Sequence, residues 1–116
     1  MLLAGGKQNK AMTAPPEQIE HVVRRIVDTA HPLRIILFGS AARGDMRPDS
    51  DLDVLVVMPE GTHRRRTAQD IYQNLFGIPI SVDVVVVTPD DLAQHGDLVG
   101  LVYRSALREG REVYAA

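Results

Sequence analysis

The sequence predicts an α+β domain of α/β-like character, a single mixed β-sheet packed by helices. Three observations carry that expectation. Stretches of 3.6-residue and 2-residue apolar period follow one another as helix, strand, strand, helix, strand, helix, an order that suits one sheet with helices against it. The first two strands flank a loop, Gly39–Ser50, that leaves their relative direction open, so the sheet is expected to mix parallel and antiparallel pairs. The 116 residues are enough for one core and too few for two.

Residues 1 to 14 carry Gly5-Gly6 and scattered polar residues without period and read as a flexible tail, with the domain proper over 15–116. Pro15-Pro16 followed by Glu17 signals a helix start. Ile19, Val22, Val23, Ile26, Val27 and Ala30 then repeat at the spacing of an amphipathic helix, and His31-Pro32 ends it. Leu33–Phe38 is a short β-rich run that leads straight into Gly39-Ser40. The loop that follows is broken at Gly44 and Pro48, with room for one short helical turn. Leu52–Val57 reads as the second strand, leaving through Met58-Pro59-Glu60-Gly61.

Thr62 is placed to cap a helix over about 63–75, with Ala68, Ile71, Tyr72 and Leu75 on one face and Gly77 closing it. Ile80–Val87 is the most β-branched stretch and reads as the third strand. Thr88-Pro89-Asp90-Asp91 combines a cap, a first-turn proline and two acids, which opens another helix. A break at His95-Gly96 and a second helical segment over Leu98–Leu107 are expected after it. Glu112–Tyr114 is left as a small edge strand.

Composition narrows the function classes. Hydrophobic residues make up 45% and charged residues 24%, as in an ordinary soluble globular protein. The net charge of −2 gives no basic field for nucleic acid, and 4% aromatics provide few stacking platforms. The absence of cysteine excludes disulfides, thiolate metal sites and cysteine nucleophiles. Apolar runs such as Ile35–Phe38 and Val84–Val87 are far shorter than a membrane span, and the N-terminus lacks the ordered regions of a signal peptide, so a cytoplasmic location is expected. Arginines outnumber lysines 11 to 2, which suits bidentate phosphate contacts and equally reflects GC-rich coding.

The chemistry gathers at Ser50-Asp51-Leu52-Asp53. Carboxylates at i and i+2 of a strand share a face, with Cα atoms roughly 6.5 Å apart. Like charges at that spacing need a cation or donors, and a hard divalent ion such as Mg²⁺ takes oxygen ligands. The glycine-bearing turn before them offers the small residues and backbone N–H groups that a phosphate chain needs. Asp83, the single charge within Ser81-Val82-Asp83-Val84-Val85, is the candidate third carboxylate from an adjacent strand. Each piece alone has an ordinary structural reading: Asp51 as a turn cap, Asp83 facing solvent on an edge strand, Gly39-Ser40 as turn chemistry. Arg64-Arg65-Arg66 reads as a solvated face, and Asp90-Asp91 as capping.

Jointly, Gly39-Ser40, ten intervening residues and then Asp51-Leu52-Asp53, with Ala42-Arg43-Gly44 after the Gly-Ser pair, resembles the signature of the DNA polymerase β-like nucleotidyltransferase superfamily. More narrowly it is similar to the minimal nucleotidyltransferase (MNT) domains, including MntA-type antitoxins, over about residues 16–110. The resemblance implies the nucleotidyltransferase fold. It also implies nucleotide contacts from Gly39, Ser40, Arg43 and Ser50, with Mg²⁺, two ions, held by Asp51, Asp53 and Asp83. Asp83 would also act as general base. Arg43 is equally suited to bracing the loop. The implied reaction is transfer of AMP from ATP to a hydroxyl of a protein partner, a HEPN-type toxin in a toxin–antitoxin pair. A non-catalytic antitoxin that acts by binding, and a small-molecule nucleotidyltransferase of the antibiotic-modifying kind, are the alternatives.

Overall fold

Strands β1 (Arg34–Phe38), β2 (Leu52–Val57), β3 (Val82–Val87) and β4 (Arg111–Ala115) form one sheet in the order β3-β2-β1-β4. The computed structural model describes residues 16–44, 50–94 and 108–116, with the backbone alone for residues 16 and 92–94. The tail over 1–14, the break at His95-Gly96 and the helix expected over Leu98–Leu107 lie outside those residues. β1 runs antiparallel to both β2 and β4, whereas β2 and β3 are parallel. The sheet is therefore mixed, as the undecided loop after β1 suggested.

Helices α1 (Pro16–Ala30) and α3 (Arg64–Asn74) supply the apolar stripes that cover one face. Val22 and Ile26 of α1 and Ile71 of α3 are wholly buried against Leu52, Val54 and Val56 of β2 and Ile35 and Leu37 of β1. The alternate residues Ile36, Leu55, Val57 and Val87 are buried on the opposite face, with Phe38 and Val85 packed against them. A strand buried on both faces has to be apolar nearly throughout. Leu-Asp-Val-Leu-Val-Val obeys that rule at every position but Asp53.

The ends of the helices differ from the sequence expectations in instructive ways. α1 stops at Ala30, and His31 takes a left-handed conformation, φ 52°, while its N–H still reaches the Val27 carbonyl at 3.0 Å. That is a capping geometry which histidine tolerates better than most residues. α3 is capped by His63 rather than Thr62. The His63 Nδ1 accepts from the Arg66 N–H at 3.1 Å, and the Thr62 hydroxyl instead donates to the Pro59 carbonyl at 2.7 Å within the preceding turn. Beyond α3, Leu75-Phe76-Gly77-Ile78 is a turn closed by the Ile78 N–H on the Leu75 carbonyl, with Gly77 at φ 95°. Arg25 of α1 donates to the Asn74 carbonyl at 2.7 Å and joins the two helices there. β3 starts at Val82, two residues later than expected, because the Ile80 N–H turns back onto the Ile78 carbonyl.

Short helices follow two of the strands. α2 (Ser40–Arg43) follows β1 at once, and α4 (Pro89–Gln94) follows β3. α4 opens on a reciprocal cap: the Thr88 N–H donates to Asp91 Oδ2 at 2.9 Å, and the Asp91 N–H donates to the Thr88 hydroxyl at 3.3 Å. Arg64 then donates to Asp91 Oδ1 at 2.7 Å, so this member of the arginine run is an ion-pair partner and not merely a solvated charge.

Burial works against ionisation of Asp91, but the Thr88 N–H, the Arg64 guanidinium and the Thr88 hydroxyl outweigh it, and the carboxyl titrates below its ordinary value. An acid with a lowered folded-state pKa adds stability that is present above the unfolded-state pKa and lost as pH falls through the folded one. Asp91→Ala should therefore cost about 1–3 kcal/mol in urea unfolding at pH 7, and the difference from wild type should shrink as the pH is taken below 4.

Candidate active site

A carboxylate in a central strand has to face something that tolerates charge. Asp53 is the second residue of β2, half-buried, on the sheet face that carries Leu55 and Val57. In the register it stands opposite Phe38 of β1 on one side and Asp83 of β3 on the other. Paired strands lie about 4.8 Å apart and in-register residues share a face, so Asp53 and Asp83 are neighbours. Asp83 is exposed, on what is an edge strand among the described residues. Asp51 is also exposed and lies one residue ahead of β2 rather than inside it, since the ladder opens with the Leu52 N–H on the Ser81 carbonyl at 2.8 Å.

Electrostatics joins these groups. Burial pushes the Asp53 carboxyl above its ordinary value, the negative charges of Asp83 and then Asp51 push it further, and Arg43 pulls the other way. Carboxylates with oxygen donors at this spacing are chemically suited to a hard divalent cation, which would relieve the same repulsion. As the side chains stand, no group of three acidic, histidine or cysteine residues among those described is gathered tightly enough to enclose an ion.

The turn after β1 is fitted to Asp53. Gly39 takes φ 67° and ψ −147°, a region essentially reserved for glycine. A Cβ placed there would overlap Asp53 Oδ2 and come within 3.2 Å of its Cγ. The turn backbone thus rests directly on the carboxylate. No side chain caps α2, whose first residue is the half-buried Ser40; Ala41 packs on the core and anchors it. Arg43 ends α2, and Gly44 follows at φ 81° with its N–H on the Ser40 carbonyl. Ser50, half-buried, precedes Asp51. Gly39, Arg43, Asp51, Asp53 and Asp83 are therefore brought into one neighbourhood, with Ser40 and Ser50 adjacent in the chain.

One neighbour went unassigned in the sequence. The Tyr72 hydroxyl accepts from the Val84 N–H at 2.8 Å and lies 3.5 Å from Asp83 Oδ1. The helical period placed Tyr72 on the inward face of α3, yet the residue is 44% exposed and only its hydroxyl meets β3. No described helix is long and apolar enough to cross a membrane.

Comparison with known proteins adds three findings. The family described as nucleotidyltransferase domain matches residues 17–113. A crystal structure of a candidate nucleotidyltransferase from Sulfolobus solfataricus has the same fold, with a TM-score of 0.57 and 19% identity over 85% of this chain and 78% of that one. A toxin–antitoxin crystal structure with AMP-PNP is 20% identical over 86% of this chain and 73% of that one, and its TM-score of 0.49 is too low to bear on function. No curated protein matches the chain.

Two substitutions test the arrangement. Because the folded-state pKa of Asp53 is raised, its ionised form disfavours folding; the penalty is absent below the unfolded-state pKa and grows as pH rises through the folded one. Asp53→Asn should accordingly raise the melting temperature at pH 7 and show no such gain at pH 3, as read by thermal unfolding at both values. Gly39→Ala meets both backbone strain and the carboxylate, and should lose at least about 2 kcal/mol in denaturant unfolding.

Proposed function

Because this chain belongs to the nucleotidyltransferase domain family, we propose that it moves AMP from ATP onto a hydroxyl of a protein partner. The observation that carries this reading is the stacking of the Gly39 backbone on Asp53, with Asp83 in register beside it. A glycine-bearing turn and an acidic cluster then share one end of the sheet, which suits the positioning and charge stabilisation that nucleotidyl transfer asks for.

The acceptor oxygen attacks the α-phosphorus, and the bond from that phosphorus to the oxygen bridging to the β-phosphate breaks. Pyrophosphate leaves with that electron pair. Asp83, the exposed acid on β3, takes the acceptor's proton. Asp51, Asp53 and Asp83 are the ligands for Mg²⁺, in two ions. The bound metal supplies charge stabilisation for the attacking and leaving oxygens. Gly39 and Ser40 contact the triphosphate from the turn; Ser40 and Ser50 offer hydroxyl donors, and Arg43 offsets negative charge from the end of α2. The partner is a HEPN-type toxin, a reading supported by the likeness of the Gly-Ser, Ala-Arg-Gly and Asp-x-Asp segments to those of minimal nucleotidyltransferases in toxin–antitoxin pairs.

The protein is to be incubated with α-labelled ATP, Mg²⁺ and the product of the adjacent gene. Label should pass to that product. Asp51→Asn and Asp53→Asn should each cut transfer at least about 100-fold, as expected when charge stabilisation at a phosphoryl centre is removed. No transfer, together with toxin neutralisation untouched by either variant, would establish an antitoxin that acts by binding. Label on a small antibiotic would move the acceptor to that class.

A further inference from the structure

We propose that Tyr72 is a positioning residue for Asp83, holding the third carboxylate of the site in place from α3. The inference rests on the reading of Asp83 as metal ligand and base.

A phenolic hydroxyl has one proton to give and lone pairs to receive. Tyr72 receives from the Val84 N–H at 2.8 Å, a short and settled bond to the backbone of β3. That contact fixes the oxygen and leaves its proton for another acceptor, and Asp83 Oδ1 lies 3.5 Å away. The donor stands on a firm base. Ile71, next to it in α3, is wholly buried, Leu75 nearly so, and Arg25 ties the end of the helix to α1. Burial of the ring does not account for the placement, since Tyr72 is 44% exposed.

Asp83 needs such a hold. It is exposed, it stands beside the like charge of Asp53, and repulsion favours rotamers that swing it into solvent. At 3.5 Å the phenol contact is long for a charge-assisted hydrogen bond, and contacts of this kind tighten in the loaded site. A group that orients a ligand through a hydrogen bond typically matters 10–100-fold to metal affinity or activity.

The test uses Mn²⁺ as the metal and α,β-methylene-ATP as an uncleavable nucleotide, with Mn²⁺ affinity followed by electron paramagnetic resonance. Tyr72→Phe should weaken Mn²⁺ binding about tenfold while its melting temperature stays within about 2 °C of wild type, water replacing the hydroxyl at the Val84 N–H. Asp83→Asn should weaken binding further, and the double variant should be no worse than Asp83→Asn alone. In labelled AMP transfer, Tyr72→Phe should lower kcat by a similar factor and leave the KM for ATP unchanged. Wild-type Mn²⁺ affinity in a folded Tyr72→Phe protein, or losses that add in the double variant, would overturn the proposal. Asp83→Asn binding Mn²⁺ as well as wild type would instead overturn the metal-site reading itself, and this inference with it.

Discussion

The half-buried charge of Asp53 in the central strand is the constraint around which the rest is arranged. Its neighbours on β2 are buried aliphatic residues, and a carboxylate among them is costly unless its surroundings are shaped for it. Two local features answer to that cost. Gly39 has no side chain because the carboxylate occupies the space one would fill. Arg43 brings a positive charge at the end of the following turn. The parallel register of β2 with β3 sets Asp83 alongside, and that second carboxylate adds to the cost. Stability is surrendered at one strand end and recovered in the wholly buried cluster of Val22, Ile26, Leu52, Val54 and Ile71.

Most of the sheet could be read from the chain because its determinants are local. The β-rich run Leu52–Val57 could be read as a strand, and the stripe through Val22 and Ile26 required a core-facing helix. The acidic cluster was legible through spacing alone, since Asp51 and Asp53 are two apart and Asp83 is the lone charge in its strand. What escaped was set by tertiary contact. That Asp53 and Asp83 stand opposite each other depends on the β2–β3 register, which a one-residue slip would have reversed. The role of Tyr72 depends on where its hydroxyl meets an outward N–H of β3, a matter of helix height over the sheet. His63 displaced Thr62 as cap because Thr62 found a closer carbonyl in its own turn.

The two faces of the sheet divide the labour. α1 and α3 cover one face, and their contacts fix the strands in position. Asp53 and Asp83 emerge on the other, at the end where β2 and β3 begin and β1 finishes. Side chains on strands are held to the precision of the ladder, whereas Asp51 lies just ahead of β2 and outside it. α2, bracketed by Gly39 and Gly44 at positive φ, brings the chain sharply over that end.

The outer rim of β3 carries one more consequence. A strand without a partner on one side, as β3 is among the described residues, is a template on which another chain can pair and begin to aggregate. Here the Val84 N–H is stoppered by a phenol from the protein's own helix, and an exposed carboxylate stands next to it in the strand. The same two side chains therefore make this border of the sheet a poor template for a further strand.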